Sequence, residues 1–310
     1  MPPPETESLL TRLTAGDRLA LARAITIVEN GLDGADSLLA SLQQSRKPGL
    51  VGITGPPGAG KSTLVNALLG IWTDAGLHVA VIAVDPSSPF HYGSLLGDRI
   101  RMSRFYNHPQ VFIRSLASRG ALGGLHPRIF EITDVVKEAG FDIILIETVG
   151  VGQSEVEIAG IADCTVVTLV PEAGDMIQTM KAGLLEIADV FVVNKSDRDA
   201  ADALYRNLRV MVHERAGHNP ETPVLKTVAS TGTGMEELAF TIQKILGEAG
   251  HNIAKRQYLQ LQKAWHLIQE ARMADISKTT LAATLQQAQD SGDFNIYAFC
   301  RQIASAGMPL

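Results

Sequence analysis

The stretch that decides the fold is Gly55-Pro56-Pro57-Gly58-Ala59-Gly60-Lys61-Ser62, followed by Thr63. It matches the phosphate-binding pattern G-x-x-x-x-G-K-[ST] without a mismatch. Glycines permit a tight loop whose backbone N–H groups point at phosphate oxygens, and a helix predicted to begin near Lys61 adds the positive end of its dipole. We therefore expect Lys61 to contact the β- and γ-phosphates of a nucleotide, Ser62 to ligate Mg²⁺ and Thr63 to reach the α-phosphate.

Short apolar runs rich in Val and Ile recur through about residues 49–248, and helical patterns such as 62–75 and 128–139 lie between most of them. Strands this apolar are buried on both faces, which predicts a parallel sheet covered by helices. We predict an α/β fold of three layers, a P-loop NTPase with a mostly parallel central sheet. The predicted strands are 50–54, 79–84, 111–114, 143–147, 165–170, 190–193 and 223–228.

Helical extensions are predicted on both sides of this domain. The N-terminal extension, 1–48, has an apolar helical stripe that ends at Gly31 and Gly34, and Asp36 is expected to cap a second short helix. The C-terminal extension, 249–310, contains the stripe Tyr258, Leu261, Trp265 and Ile268 and a second stripe at 281, 285 and 288. These stripes either pack back on the domain or serve a partner or a second copy of the chain.

Two predicted strands end in a carboxylate suited to hold Mg²⁺ beside the phosphate loop, Asp85 and Glu147. Glu147 begins Glu147-Thr148-Val149-Gly150, where many GTPases have Asp. Because Glu is one methylene longer, we expect it to reach the metal through water. The N–H of Gly150 is expected to sense the γ-phosphate.

The segment 86–97 follows Asp85 and has the composition of a loop. It leads to Asp98 and Arg101, which predicts a switch that becomes ordered around metal and γ-phosphate. Asp98 is a candidate for binding the metal or positioning water. Arg101 is a candidate for stabilising charge or holding Asp98, and an ordinary surface ion pair at a helix start is the alternative.

A later strand runs into Asn194-Lys195-Ser196-Asp197, the N-K-x-D signature of guanine binding. The Asp197 carboxylate is expected to accept from guanine N1–H and from the exocyclic amino group. Asn194 would brace the loops, and the stem of Lys195 would pack on the base. The last strand leads to Val228-Ala229-Ser230, where we expect a backbone N–H to meet the guanine oxygen.

The composition of the chain excludes several other kinds of protein. The chain has 310 residues, of which 45% are hydrophobic, and a formal net charge of −6, which argues against a nucleic-acid or anionic-membrane surface. Its two cysteines, Cys164 and Cys300, are far apart and indicate neither a disulfide framework nor a metal cluster. The sequence has no secretory signal and no apolar stretch near the ~18 residues of a bilayer span, so we expect a soluble cytoplasmic protein.

The sequence resembles the MeaB/ArgK family over about residues 10–250. The resemblance is carried by Gly-Pro-Pro-Gly-Ala-Gly-Lys-Ser-Thr (55–63), Val-Asp-Pro-Ser-Ser (84–88), Gly-Asp-Arg-Ile-Arg-Met (97–102), Glu-Thr-Val-Gly-Val-Gly-Gln-Ser-Glu (147–155) and Asn-Lys-Ser-Asp (194–197). Members are G-protein chaperones of adenosylcobalamin-dependent acyl-CoA mutases, with methylmalonyl-CoA mutase the best-known client. They gate cobalamin delivery and help to discard damaged cofactor, and GTP hydrolysis drives the gating.

The resemblance also implies a third mobile loop, matched here by 174–181, to which Asp175 and Lys181 carry over. A plain helix start at Gly174 is the alternative. Family members dimerise through a C-terminal helical arm, which suits the stripe near Trp265. The resemblance thus predicts a Mg²⁺-dependent GTPase that binds GTP and GDP, forms a homodimer and has a mutase as its partner.

Three other functions remain open at this point. A small-molecule kinase shares the phosphate loop but does not need the 194–197 motif. A nickel-chaperone GTPase needs clustered His and Cys, whereas the eight histidines here are scattered. A nucleotide-dependent scaffold with negligible turnover is the third, because no Gln or Arg is evidently placed to align water.

Overall fold

The structure, a computed structural model, describes residues 4–43, 46–85, 102–119, 124–150, 155–173, 182–216, 222–249, 253–273, 276–290 and 294–306. The chain divides into two compact units, Met1–Leu259 and Gln260–Leu310. The domain limits predicted at residues 48 and 248 stay predictions. Among the described residues, no helix combines the length and apolarity needed to cross a membrane.

The first unit is built on a parallel sheet of seven strands in the order β3-β2-β4-β1-β5-β6-β7. The strands are β1 Gly49–Thr54, β2 Val79–Asp85, β3 Val111–Ala117, β4 Ile143–Glu147, β5 Cys164–Leu169, β6 Val190–Val193 and β7 Val224–Lys226. The predicted fold class is confirmed. Order reverses around β1, so the loop after β1 lies at the switch point where open α/β sheets bind ligands.

Helices occupy the connections and both ends of the chain. In the first unit they are α1 Pro4–Thr14, α2 Arg18–Asn30, α3 Ala35–Ala40, α4 Lys61–Asp74, α5 Ile129–Lys137, α6 Ala182–Ile187, α7 Ala201–Ala216 and α8 Met235–Ala249. Helix α9, Ile253–Met273, crosses the boundary between the units, and α10 Lys278–Asp290 and α11 Ile296–Ala306 follow it.

The sheet is covered on both faces, which explains why its strands are so uniformly apolar. On one face α4 and α8 bury side chains such as Leu68, Trp72 and Leu238 against β1, β2 and β4. On the other face α2 and α5 bury side chains such as Ile25 and Ile132. The carboxyl ends of all seven parallel strands therefore lie at one edge of a sheet that helices cover on both faces.

The N-terminal helices differ in two ways from the sequence prediction. Helix α1 was not predicted, although its Leu13 is fully buried. The prediction that Asp36 caps α3 is wrong, because the N-cap is Gly34 in the left-handed conformation and Asp36 lies inside the first turn. Helix α2 does end at Gly31, whose φ of 58° is the left-handed conformation that glycine adopts readily.

Candidate nucleotide-binding site

The phosphate loop joins β1 to α4, and α4 begins at Lys61 as predicted. Two glycines of the loop have no room for a side chain. Gly55 has a φ of 141°, and a Cβ there would overlap the carbonyl oxygen of Thr168. Gly60 has a φ of 84°, and a Cβ there would lie 2.5 Å from the Asn194 amide nitrogen. The loop is therefore packed tightly onto β5 and onto the loop after β6.

Lys61 is buried within the loop and contacts the loop's own backbone. Its Nζ donates to the carbonyl oxygens of Gly55 at 2.7 Å and Pro56 at 3.1 Å. Gly150 packs against the same ammonium group, because a Cβ at Gly150 would lie 2.6 Å from Lys61 Nζ and 2.6 Å from the Pro57 nitrogen. The structure thus brings the residue predicted to sense the γ-phosphate into contact with the phosphate loop.

The residues predicted to bind a metal meet at the carboxyl edge of the sheet. Ser62 Oγ donates to Glu147 Oε1 at 2.7 Å, and both side chains are buried. Asp85 ends β2, the strand next to β4, two residues beyond Ala83, which pairs with Glu147. Hydroxyl and carboxylate oxygens are the ligands that Mg²⁺ prefers, and Mg²⁺ typically takes only one or two carboxylates and keeps several waters. The described residues therefore fit a Mg²⁺ site made of Ser62, Glu147 and Asp85.

Thr148 and Val149 fix the segment between Glu147 and Gly150. Thr148 Oγ1 donates to Thr54 Oγ1 at 2.9 Å, and the Thr148 N–H donates to the Ile53 carbonyl at 3.1 Å. The Val149 N–H donates to the carbonyl of Gly124 at 3.1 Å. Sequence reasoning did not find the contributions of Thr54 and Gly124. The one sequence feature that could have indicated a role for Thr54 is its position directly before the phosphate loop.

Asn194 connects three loops at the other side of the phosphate loop. Its Nδ2 donates to the Ala59 carbonyl at 2.8 Å, and its Oδ1 accepts from Thr227 Oγ1 at 3.1 Å and from the Ala229 N–H at 3.2 Å. Asn194 is 2% exposed, so these bonds lie in a dry environment. The base motif, the phosphate loop and the turn after β7 form one hydrogen-bonded body.

The remaining residues of the base motif become more exposed along the chain, from half-buried Lys195 and Ser196 to exposed Asp197. Lys195 adopts the left-handed conformation with a φ of 54°, and Asp197 is exposed. In segment 228–230, where a backbone N–H is expected to meet the guanine oxygen, Val228 pairs with Thr233, Ala229 is buried and Ser230 is exposed. The Ala229 N–H donates its hydrogen bond to Asn194 Oδ1, as described above.

Several predicted residues lie outside the described part of the chain. They are the switch candidates Asp98 and Arg101, the loop residues Asp175 and Lys181, and the segments 86–97 and 174–181. Glu172, just before the second segment, forms an ion pair with Arg198, the residue after Asp197. Within the described ranges, no three His, Cys, Asp or Glu side chains are grouped so as to hold a metal ion.

A family model described as methylmalonyl-CoA mutase-associated GTPase MeaB matches residues 21–281. The chain belongs to the MeaB family. A presumed GTPase of Pyrococcus horikoshii is 47% identical over 261 residues, 81% of this chain and 82% of that protein. The mouse methylmalonic aciduria type A homolog, a mitochondrial protein, is 36% identical over 85% of this chain and 69% of its own length. The resemblance inferred from the motifs is confirmed.

A solved structure named as a LAO/AO transport system kinase is similar to this chain. It is 27% identical, covers 97% of both chains and has a TM-score of 0.70. Its name describes that protein as a kinase, while the family model and the relatives above are named as GTPases or for methylmalonic aciduria. The first unit of this MeaB-family chain therefore has the fold of the P-loop GTPases.

Proposed function

We propose that this MeaB-family protein binds GTP, hydrolyses it to GDP and phosphate with Mg²⁺, and works in the cytoplasm. The observation that carries the proposal is the hydrogen-bonded body around Asn194, which joins the base motif to the phosphate loop. A P-loop kinase has no need to tie a guanine motif to the loop that holds the phosphates. Recognition of the base and positioning of the phosphates are thereby set by one rigid unit.

Nucleotide binding is expected to change the contacts of Lys61 and Ser62. Lys61 exchanges the carbonyls of Gly55 and Pro56 for phosphate oxygens, which bear full charge and form stronger bonds. Ser62, Glu147 and Asp85 would hold Mg²⁺, and Ser62 and Glu147 now form a hydrogen bond with each other. Mg²⁺, when bound, neutralises charge on the β- and γ-phosphates. Gly150, already against Lys61, lies beside the ammonium that meets the γ-phosphate.

Guanine specificity is expected to depend on Asp197. Asp197→Asn removes a carboxylate that accepts two charge-assisted bonds from the base, so GTP affinity should fall at least about a hundredfold. Xanthine carries a carbonyl where guanine carries the amino group, so the variant should prefer xanthosine triphosphate. Isothermal titration with both nucleotides measures the change. Asp199→Asn, also at an exposed position, is the matched control, and wild-type GTP affinity in Asp197→Asn would place the base site elsewhere.

We further propose that hydrolysis gates adenosylcobalamin delivery to an acyl-CoA mutase such as methylmalonyl-CoA mutase, with the GTPase acting as a homodimer. The description of the family supports a mutase as partner. The ion pair of Glu172 with Arg198 links the base loop to a residue that lies two positions before segment 174–181 in the sequence. Each member is about half exposed, so the pair adds little stability, but it offers a contact between nucleotide and a partner-binding loop.

Lys181→Ala tests this coupling. The variant is expected to keep nearly wild-type basal hydrolysis and to lose stimulation by the mutase, because Lys181 would act through a contact with Asp175 that changes on docking. Hydrolysis rate is measured against mutase concentration, with Lys244→Ala on the exposed surface of α8 as control. Equal stimulation of both variants would contradict the coupling, and loss of basal turnover would place Lys181 in the catalytic site. Neither outcome affects the Asp197 experiment.

A further inference from the structure

Three arginines converge on the C-terminal end of α2. Arg114 of β3 donates to Glu29 Oε2 at 2.5 Å and to Thr26 at 3.2 Å. Arg119, just after β3, donates to Asn30 Oδ1 at 2.7 Å, and Arg128, just before α5, donates to the Val28 carbonyl at 3.0 Å. We call Arg114, Arg119 and Arg128 the arginine cluster.

His126 lies within the field of the arginine cluster and is 2% exposed. Its Nδ1 accepts the N–H of Arg128 at 3.0 Å. Burial, and next the charge of Arg119, lower the pKa of His126 to about 4, so the ring is neutral at neutral pH. Because Nδ1 is the acceptor, the proton of the neutral ring sits on Nε2. This buried N–H donor has no hydrogen-bond partner in the part of the chain that the structure describes.

A second buried donor and an excess of positive charge also indicate that an acceptor is missing. Arg114 Nε is also buried and lacks a hydrogen-bond partner among the described residues. Among the described residues, the charged groups that act on His126 are the three guanidinium groups and one carboxylate, Glu29. The sequence from 120 to 125 adds no charge. Buried donors are normally satisfied and partly buried charges normally compensated, so within the described residues the cluster lacks a second negatively charged acceptor besides Glu29.

We propose that the arginine cluster and His126 form a binding site for a phosphate group. A phosphate carries up to two negative charges and several strong acceptor oxygens, and the planar forks of arginine match its geometry. The cluster lies beside Asp85, which pairs with Ala117 and whose carbonyl oxygen accepts the Ser118 N–H at 2.9 Å, but it is distant from the phosphate loop, which follows β1. Strand β3 is three strands away from β1, which at roughly 4.8 Å per strand is about 14 Å across the sheet. The proposal therefore does not depend on GTP hydrolysis.

Inorganic phosphate is the probe. The full-length protein is saturated with GDP and Mg²⁺ and titrated with phosphate by calorimetry, with sodium chloride at matched ionic strength and sodium acetate as reference titrations. The same titration of Lys61→Ala, in which the phosphate loop loses its cation, removes the nucleotide site as a source of the signal. We expect saturable phosphate binding in both proteins, and much weaker binding of acetate.

Two substitutions that are expected to change phosphate affinity in opposite directions test whether phosphate binds at the arginine cluster. Arg119→Ala removes a charge-assisted donor and should weaken phosphate binding about tenfold. Glu29→Gln keeps the hydrogen bond to Arg114 but removes the competing carboxylate, so binding should tighten several-fold. Arg209→Ala, on the exposed face of α7, changes net charge as Arg119→Ala does and should have no effect.

The outcomes decide the proposal. The absence of saturable binding, its loss in Lys61→Ala, or equal affinity for acetate and phosphate would each overturn it. So would an unchanged affinity in Arg119→Ala. If Arg119→Ala does not fold, Glu29→Gln alone remains decisive, because a structural role of the cluster gives no reason for tighter phosphate binding when a carboxylate is removed.

Discussion

Thr148 is a positioning residue for both Glu147 and Gly150. Its hydroxyl bonds to Thr54, and both threonines are at most 2% exposed. Thr148→Val preserves shape but leaves the Thr54 hydroxyl buried without this partner, which should cost about 1–3 kcal/mol of stability. With its anchor lost, Glu147 is held less firmly beside Ser62, so kcat for GTP should fall several-fold while the KM changes little.

Thr148→Ser distinguishes positioning from packing, because serine keeps the hydroxyl and loses only a methyl group. Steady-state hydrolysis and thermal unfolding of wild type, Thr148→Val and Thr148→Ser make the comparison. Serine is expected to restore most of kcat. A valine variant that is less stable but retains wild-type kcat would show that the bond only supports the fold.

Helix α2 illustrates how one element is fixed at both ends. Its N-cap, Asp17, accepts the N–H groups of Leu19 at 2.8 Å and Ala20 at 3.1 Å and also pairs with Arg12. The Ala20 N–H, followed by the Arg12 hydrogen bond, holds the pKa of Asp17 below its usual 3.8. A depressed carboxyl pKa contributes stability above pH 3.8 that is lost as the pH falls below that value.

Substitutions at Asp17 are expected to separate capping from charge. Asp17→Ala should lower the melting temperature of the protein at pH 7, because it removes the acceptor, whereas Asp17→Asn keeps an acceptor and should lose much less. The difference between wild type and Asp17→Asn should shrink below pH 3.8. Thermal unfolding followed by circular dichroism at pH 7 and pH 3 tests this. Equal losses for Ala and Asn at pH 7 would assign the effect to the Arg12 ion pair.

The strands were predicted more accurately than the helices that flank them. Strand β4 and strand β6 have the predicted bounds, because each is an unbroken apolar run with both faces buried. Strand β3 extends to Ala117, three residues past the prediction. It is an edge strand whose Arg114 and Ser115 are only half-buried, so the apolar pattern stops before the pairing does.

The second unit gives the molecule an exposed apolar stripe. On α9, Leu261, Trp265 and Ile268 are 57–62% exposed. Their spacing of three and four residues puts them on one helix face, as in helices that pair with another helix. If two copies associate through this stripe, Trp265→Asp should shift the protein from dimer to monomer in sedimentation velocity. Gln260→Asp, off the stripe, is the control, and a dimer that survives Trp265→Asp would place the interface elsewhere.

The local motifs could be recognised from sequence because each acts through neighbouring residues. The phosphate loop needs consecutive backbone N–H groups and a helix start, and Asn194-Lys195-Ser196-Asp197 needs only a turn after a strand. The parallel sheet followed from strands too apolar to face water. These features do not depend on the details of side-chain packing, since local spacing alone specifies them.

The sequence analysis expected these motifs to meet, but the particular hydrogen bonds that join them could not be predicted, because they depend on which strands are neighbours. Asn194 reaches Ala59 across 135 residues, Ser62 reaches Glu147 across 85, and Thr148 reaches Thr54 across 94. The arginine cluster likewise meets α2 across 85 to 100 residues. Nothing in the spacing of these residues encodes the contacts. They arise because the strand order brings the carboxyl ends of distant strands to one edge, where buried polar groups must satisfy one another.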